Sequence, residues 1–105
     1  MGTNKILDHI NNLSDNDKLE FVNLVKKNLN VFFNKLEIAI KSKDFIEINQ
    51  LLHKIKPTTI MLEFNGLKEF INALEMQIET NELQIDISCN KLQIEKSGLI
   101  KLGWI

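Results

Sequence analysis

His53 and the lysines beside it are the residues of this chain best suited to chemistry. Lys54 follows the histidine directly, and Lys56 comes three residues later, within the run HKIKPTTIML. Residues three apart on a helix lie on the same face, so the Lys56 ammonium can reach an anion held on the imidazole. A neutral imidazole nitrogen is also a nucleophile at the pH of the cell. This spacing favours a histidine that accepts an already activated anionic group, such as a phosphoryl group.

A helical projection places His53 on the outward side of its helix. At about 100° per residue, the opposite side collects aliphatic residues that form a buried stripe: Ile48, Leu51, Ile55 and Leu62. The side of the histidine carries Ile46, Asn49, Gln50, Lys56, Pro57 and Ile60. Ile60 is either part of a docking patch or a scattered apolar surface residue. The simplest alternative for His53 itself is an exposed histidine without a chemical role.

Pro57 is unusual because it lies inside the predicted helix. Its nitrogen carries no hydrogen to donate to the carbonyl of His53, four residues earlier, and its ring crowds that carbonyl, at a cost of about 3 kcal/mol. The proline therefore either kinks the helix for packing or shapes a site at His53.

Other catalytic chemistries find little support. Cys89 is the single cysteine, which excludes an internal disulfide framework and a thiolate-rich zinc site. His9 with Asp8 and Asp15 could hold a metal ion in principle, but an exposed, solvated histidine is the stronger interpretation. We expect no metal site and no cofactor in this chain.

The elements that must position His53 are helices, because apolar residues recur at intervals of three and four and the chain has one proline and four glycines. A short accessory helix is predicted over Lys5 to Leu13. Ser14 is predicted to cap a long helix that reaches Ser42, with a stripe of Leu19, Val22, Val25, Leu29, Phe32, Phe33, Leu36, Ala39 and Ile40. Asp44 is predicted to cap the helix that carries His53, from Phe45 toward Phe64.

The second half of the chain predicts two more helices. Asn65 and Gly66 are expected to form a turn, followed by a helix from Leu67 to Thr80. Residues 81–88 are predicted to be a loop or a short extended piece. Cys89 to Leu102 is predicted to be the last helix, with Leu92, Leu99 and Ile100 inward and Trp104 packed near the chain end. The fold class is therefore all-α: an antiparallel four-helix bundle with a short accessory N-terminal helix, in one domain over residues 1–105.

Composition narrows the function classes. The formal net charge is −1 and no residue is arginine, so no basic field attracts a nucleic acid backbone. No apolar stretch approaches the length of about 20 residues that spans a bilayer, and the first ten residues lack the pattern of a secretory signal. We expect a cytoplasmic protein that has neither a membrane span nor a nucleic acid partner.

The run from His53 to Leu62, with Leu67 and Leu74-Glu75 downstream, resembles the histidine phosphotransfer (HPt) domain of multistep two-component phosphorelays. The resemblance covers roughly residues 15–80. HPt domains carry a histidine and a set of residues at fixed distances after it. An aliphatic residue follows two positions after the histidine, a lysine three, small residues five and six, and an aliphatic residue nine positions after it. A leucine followed by an acid or an amide comes about 21 and 22 positions after it. These places are held here by His53, Ile55, Lys56, Thr58, Thr59, Leu62, Leu74 and Glu75.

The resemblance implies that His53 accepts a phosphoryl group from a response-regulator aspartate and passes it to another receiver. Lys56 would stabilise the phosphoryl oxygens, and Glu75 would face and orient the histidine. Partners would be receiver domains, a hybrid sensor histidine kinase, or both, with magnesium in the partner receiver only. HPt domains are mostly monomeric, so a monomer is expected. The chain lacks a glycine-rich phosphate loop, and we expect a phosphorelay intermediate without ATP-dependent kinase activity.

Two positions depart from the HPt pattern. Pro57 and Glu63 stand where two glycines are usual. An acid at position 63 either repels the acidic pocket of some receivers and narrows partner choice, or points away if Pro57 bends the helix. These departures keep a second hypothesis open: a docking module that binds receivers or other helical partners without phosphotransfer. In both hypotheses Asn49, Lys54 and Ile60 are the candidate docking residues.

Overall fold

The computed structural model describes residues 12–105, which contain four α-helices. Their bounds are α1 Asp15–Lys41, α2 Phe45–Met61, α3 Asn65–Glu79 and α4 Ile85–Lys101. Residues 42–44, 62–64 and 80–84 join them, and connections this short reverse the direction of the chain. Helix α1 packs on α2 and α4, and α3 packs on the same two helices. The predicted antiparallel four-helix bundle is confirmed. The accessory helix lies almost wholly outside the described residues; of its predicted span only Asn12 and Leu13 are described, and they form a turn and a bend before α1.

Both predicted N-caps are present. The Ser14 hydroxyl accepts a hydrogen bond from the backbone N–H of Asp17 at 3.2 Å, and an Asp44 carboxylate oxygen accepts one from the N–H of Glu47 at 3.1 Å. Each bond satisfies one of the N–H groups that a helix start leaves unpaired. Asp44 thereby caps the first turn of α2, the helix that carries His53.

All four helices end in the same left-handed turn. The residue after each C-cap has a positive φ: Lys43 at 53°, Glu63 at 57°, Asn81 at 55° and Gly103 at 86°. After α2, the N–H of Phe64 donates to the carbonyl of Thr59 at 2.9 Å and the N–H of Glu63 to that of Ile60 at 3.3 Å. This pair of bonds is the Schellman motif, which satisfies the last carbonyls of a helix.

The core follows the predicted apolar stripes with two exceptions. In α1 the stripe from Val25 to Ile40 is buried, and Ile48, Leu51, Ile55 and Leu62 are buried on α2 and at its C-cap. Trp104 packs edge-on against Phe64, with ring centroids 5.4 Å apart, as predicted for the chain end. Leu19 and Ile100, which were expected to face inward, are exposed. Leu19 lies in the first turns of α1, before its first buried residue, and Ile100 follows Leu99, which takes the inward position.

The predicted boundaries in the second half of the chain need two corrections. Asn65 and Gly66 are the first residues of α3 rather than a turn, because the reversal is made by residues 62–64. Helix α4 begins at Ile85 rather than Cys89. The side-chain oxygen of Gln77 on α3 accepts hydrogen bonds from the Gln84 N–H at 3.0 Å and the Ser88 hydroxyl at 3.2 Å, which holds the start of α4 against α3.

Within residues 12–105, none of the helices has both the length and the apolar character needed to cross a membrane.

Candidate functional site

His53 lies in the middle of α2 with an exposed side chain, on the face opposite the buried residues. The predicted orientation is confirmed. Asn49 and Ile60 on the same face are also exposed, and Ile60 keeps 54% of its surface accessible. An aliphatic side chain this open, about two turns from an accessible imidazole, gives α2 a mixed polar and apolar outer surface.

Lys56 connects this face to the neighbouring helix. Its ammonium Nζ donates to the Glu75 carboxylate Oε1 on α3 at 2.7 Å. The two side chains keep 35% and 25% of their surface exposed, so water reaches the pair and weakens it relative to a buried one. The structure therefore brings Lys56 and Glu75 together one turn from His53, and it gives Glu75 a lysine partner. The orienting role of Glu75 toward His53 stays a prediction.

The two threonines after Pro57 have different environments. Thr59 is fully buried, and its hydroxyl donates to the backbone carbonyl of Lys56 at 2.7 Å. This hydrogen bond leaves the buried hydroxyl paired, as buried polar atoms in folded proteins usually are. Thr58 is half-buried and lines a cleft between α1 and α2. The two threonines therefore face the core and this cleft.

Pro57 does not end the helix. Helix α2 continues through it to Met61, and the proline side chain is exposed. Because Pro57 has no N–H, the carbonyl of His53 lacks its ordinary helical donor. The proline therefore changes the backbone at the one residue whose side chain is the candidate nucleophile.

A cleft of about 260 Å³ lies between α1 and α2, on the side of α2 to which Lys54 turns. Its apolar wall consists of Val31, Phe32, Leu51 and Ile55, and its polar groups are Asn28, Lys35, Lys54 and Thr58. Two cations at the edge of an apolar cleft suit a partner that offers an apolar side chain next to carboxylates. Lys54 was predicted as a docking residue. Lys35 and Val31 were missed, because on α1 alone they look like an ordinary solvated residue and a scattered apolar one.

Comparisons with protein-family models, with curated proteins and with solved structures gave no match.

Cys89 offers no competing centre. It is half-buried on α4, and burial raises the pKa of its thiol above the ordinary value. Less thiolate means a weaker nucleophile at neutral pH. In the part of the chain that the structure describes, no three His, Cys, Asp or Glu side chains are placed to share a metal ion. His9 and Asp8 of the alternative metal site lie outside that part.

Proposed function

We propose that this protein is a histidine phosphotransfer protein in which His53 carries the phosphoryl group between receiver domains. The observation that carries the proposal is an exposed histidine in the middle of a bundle helix, with Lys56 one turn away on the same face. The HPt-like pattern from His53 to Glu75 adds to it. A two-component phosphorelay is the pathway class that such a protein serves.

The transfer step requires little of this chain. The unprotonated ring nitrogen of His53 attacks phosphorus, a P–N bond forms, and the P–O bond to the aspartate of the receiver breaks. The aspartate leaves as a carboxylate with the bonding electron pair, and the proton stays on the other ring nitrogen of the histidine. A receiver with a bound magnesium ion would hold the phosphoryl group in line for this attack. His53 provides the nucleophile and Lys56 a cation for the transferred oxygens.

The receiver would dock on the outer surface of α2. Ile60 and the cleft beside Lys54 provide apolar contact area, and Lys35 and Lys54 provide cations that complement an acidic receiver pocket. Asn49 lies on the histidine face and would be covered by the same partner.

Transfer of labelled phosphate from a receiver charged with acetyl phosphate tests the proposal. The proposal predicts an acid-labile label on the wild-type protein and none on the His53→Gln variant, with unchanged circular dichroism. Removal of the ammonium in Lys56→Gln should slow transfer about ten-fold or more. Receivers that charge fully and bind but never transfer to the wild-type protein would contradict it.

The second candidate is a docking module without phosphotransfer. It is favoured by the engagement of Lys56 with Glu75, which leaves the lysine paired rather than free to meet a phosphoryl group. In that case the His53→Gln variant would bind receivers as the wild-type protein does, and no label would reach either protein.

A further inference from the structure

The Lys56–Glu75 ion pair is the feature of the molecule that the transfer chemistry leaves unexplained. A lysine that only stabilises a phosphoryl group needs no carboxylate on the next helix. Here the ammonium meets Glu75 at 2.7 Å, across the junction of α2 and α3.

We propose that Glu75 is a positioning residue that competes with the phosphoryl group on His53 for the Lys56 ammonium. The inference rests on the proposed phosphotransfer function. Without a phosphoryl group, Glu75 holds Lys56 against α3; when His53 is phosphorylated, the ammonium turns to the phosphoryl oxygens and the bond between the helices opens. Glu75 thereby regulates how readily phosphohistidine gives up its group.

Charge decides the direction of the exchange. A phosphoryl group carries nearly two negative charges on three acceptor oxygens, whereas the carboxylate carries one, so at equal distance it attracts the ammonium more strongly. A residue three positions along a helix lies about 5–6 Å away between Cβ atoms, and the lysine stem is flexible. Lys56 can therefore reach His53 without a change in the backbone.

Exposure makes the exchange possible. Lys56 and Glu75 are both partly open to water, so the pair can break without disturbing the core. Opening the Lys56–Glu75 pair uses part of the free energy that the ammonium gains from the phosphoryl group. Phosphohistidine is therefore less stable than it would be beside a lysine without a carboxylate partner, and it is a better donor to the next receiver.

The test uses Glu75→Gln, which keeps the shape of the side chain and removes its charge. The variant should shift the transfer equilibrium between receiver and His53 about three- to ten-fold toward phosphohistidine, as expected for one partly screened charge interaction. Glu69→Gln is the matched control, because it removes the same charge from an exposed position on a different face of α3. It should leave the equilibrium unchanged.

A second measurement needs no receiver. Phosphoramidate phosphorylates accessible imidazoles directly, and a His9→Gln background confines the label to His53. Hydrolysis of this phosphohistidine should be slower in Glu75→Gln than in the parent. The effect should be largely lost when Lys56 is already replaced by Gln, because competition needs the ammonium.

The outcomes separate the two proposals. No effect of Glu75→Gln on either readout, or an equal effect with and without Lys56, would overturn the competition. If receivers never charge His53 while hydrolysis still depends on both residues, the competition stands and the relay function fails.

Discussion

Replacing Pro57 with alanine should stabilise the protein by about 2 kcal/mol. Proline inside a helix is about 3 kcal/mol less favourable than alanine, and the new N–H can donate to the carbonyl of His53. Proline also restricts the conformations of the unfolded chain. Replacing it with alanine makes the unfolded state more favourable, which offsets about 1 kcal/mol of the gain. The ring is exposed, so its removal loses little packing. For a domain of this size the gain corresponds to a rise in Tm of about 8 °C.

Urea unfolding, followed by far-UV circular dichroism, measures this change in the free energy of unfolding. The urea concentration at the midpoint should rise, while the slope of the free energy of unfolding against urea concentration stays the same. Gln50→Ala is the matched control, at another exposed position of α2, and should gain only about 0.3 kcal/mol from helix propensity. An unchanged or lower stability of Pro57→Ala, with the control as expected, would mean that α2 holds the proline without a net cost. Reduced phosphotransfer in a stabilised Pro57→Ala variant would show that the proline shapes the His53 site.

Four further predictions concern the C-terminal ends of the helices, a glycine inside α4 and the cysteine. Glu63→Gly should stabilise the protein by about 1 kcal/mol in urea unfolding, because glycine accepts the left-handed φ of 57° without strain. For the same reason Gly103→Ala should destabilise the protein by a similar amount, since Gly103 also has a left-handed φ. A destabilised Glu63→Gly variant would mean that the glutamate side chain makes a contact worth more than the strain. Gly98→Ala should raise the free energy of unfolding by about 0.5–1 kcal/mol, since an added Cβ in this helix meets no atom within 4 Å. Alkylation of Cys89 by iodoacetamide should reach half its maximal rate at a higher pH in the folded protein than in urea. The reason is that burial raises the thiol pKa and keeps the thiol protonated as pH rises. Equal midpoints in the folded and the unfolded protein would contradict this prediction.

The bundle could be predicted because helix periodicity and capping are local properties. The Ser14 and Asp44 caps and the outward direction of His53 follow from residue spacing alone, and all three are confirmed. The start of α4 could not be predicted from residues 81–88, since it depends on Gln77 of the preceding helix.

Of the candidate site, the sequence predicts only the residues that lie along α2. The spacing of His53 and Lys56 defines the face, but the Lys56–Glu75 pair joins residues on two helices, and its geometry appears only when they pack. The same holds for Lys35, which reaches the cleft through the packing of α1 against α2. The left-handed φ of Glu63 also gives a physical reason why glycine suits that position.

Locating the phosphoryl group after incubation with a charged receiver shows whether His53 is the residue that accepts it. Mass spectrometry of the peptides under neutral conditions, on the wild-type protein and on His9→Gln and His53→Gln, identifies the modified residue. We expect phosphohistidine at position 53 in the wild-type protein and in His9→Gln, none in His53→Gln, and loss of the group when a second, uncharged receiver is added. A phosphoryl group elsewhere, or one that persists in His53→Gln, would contradict it.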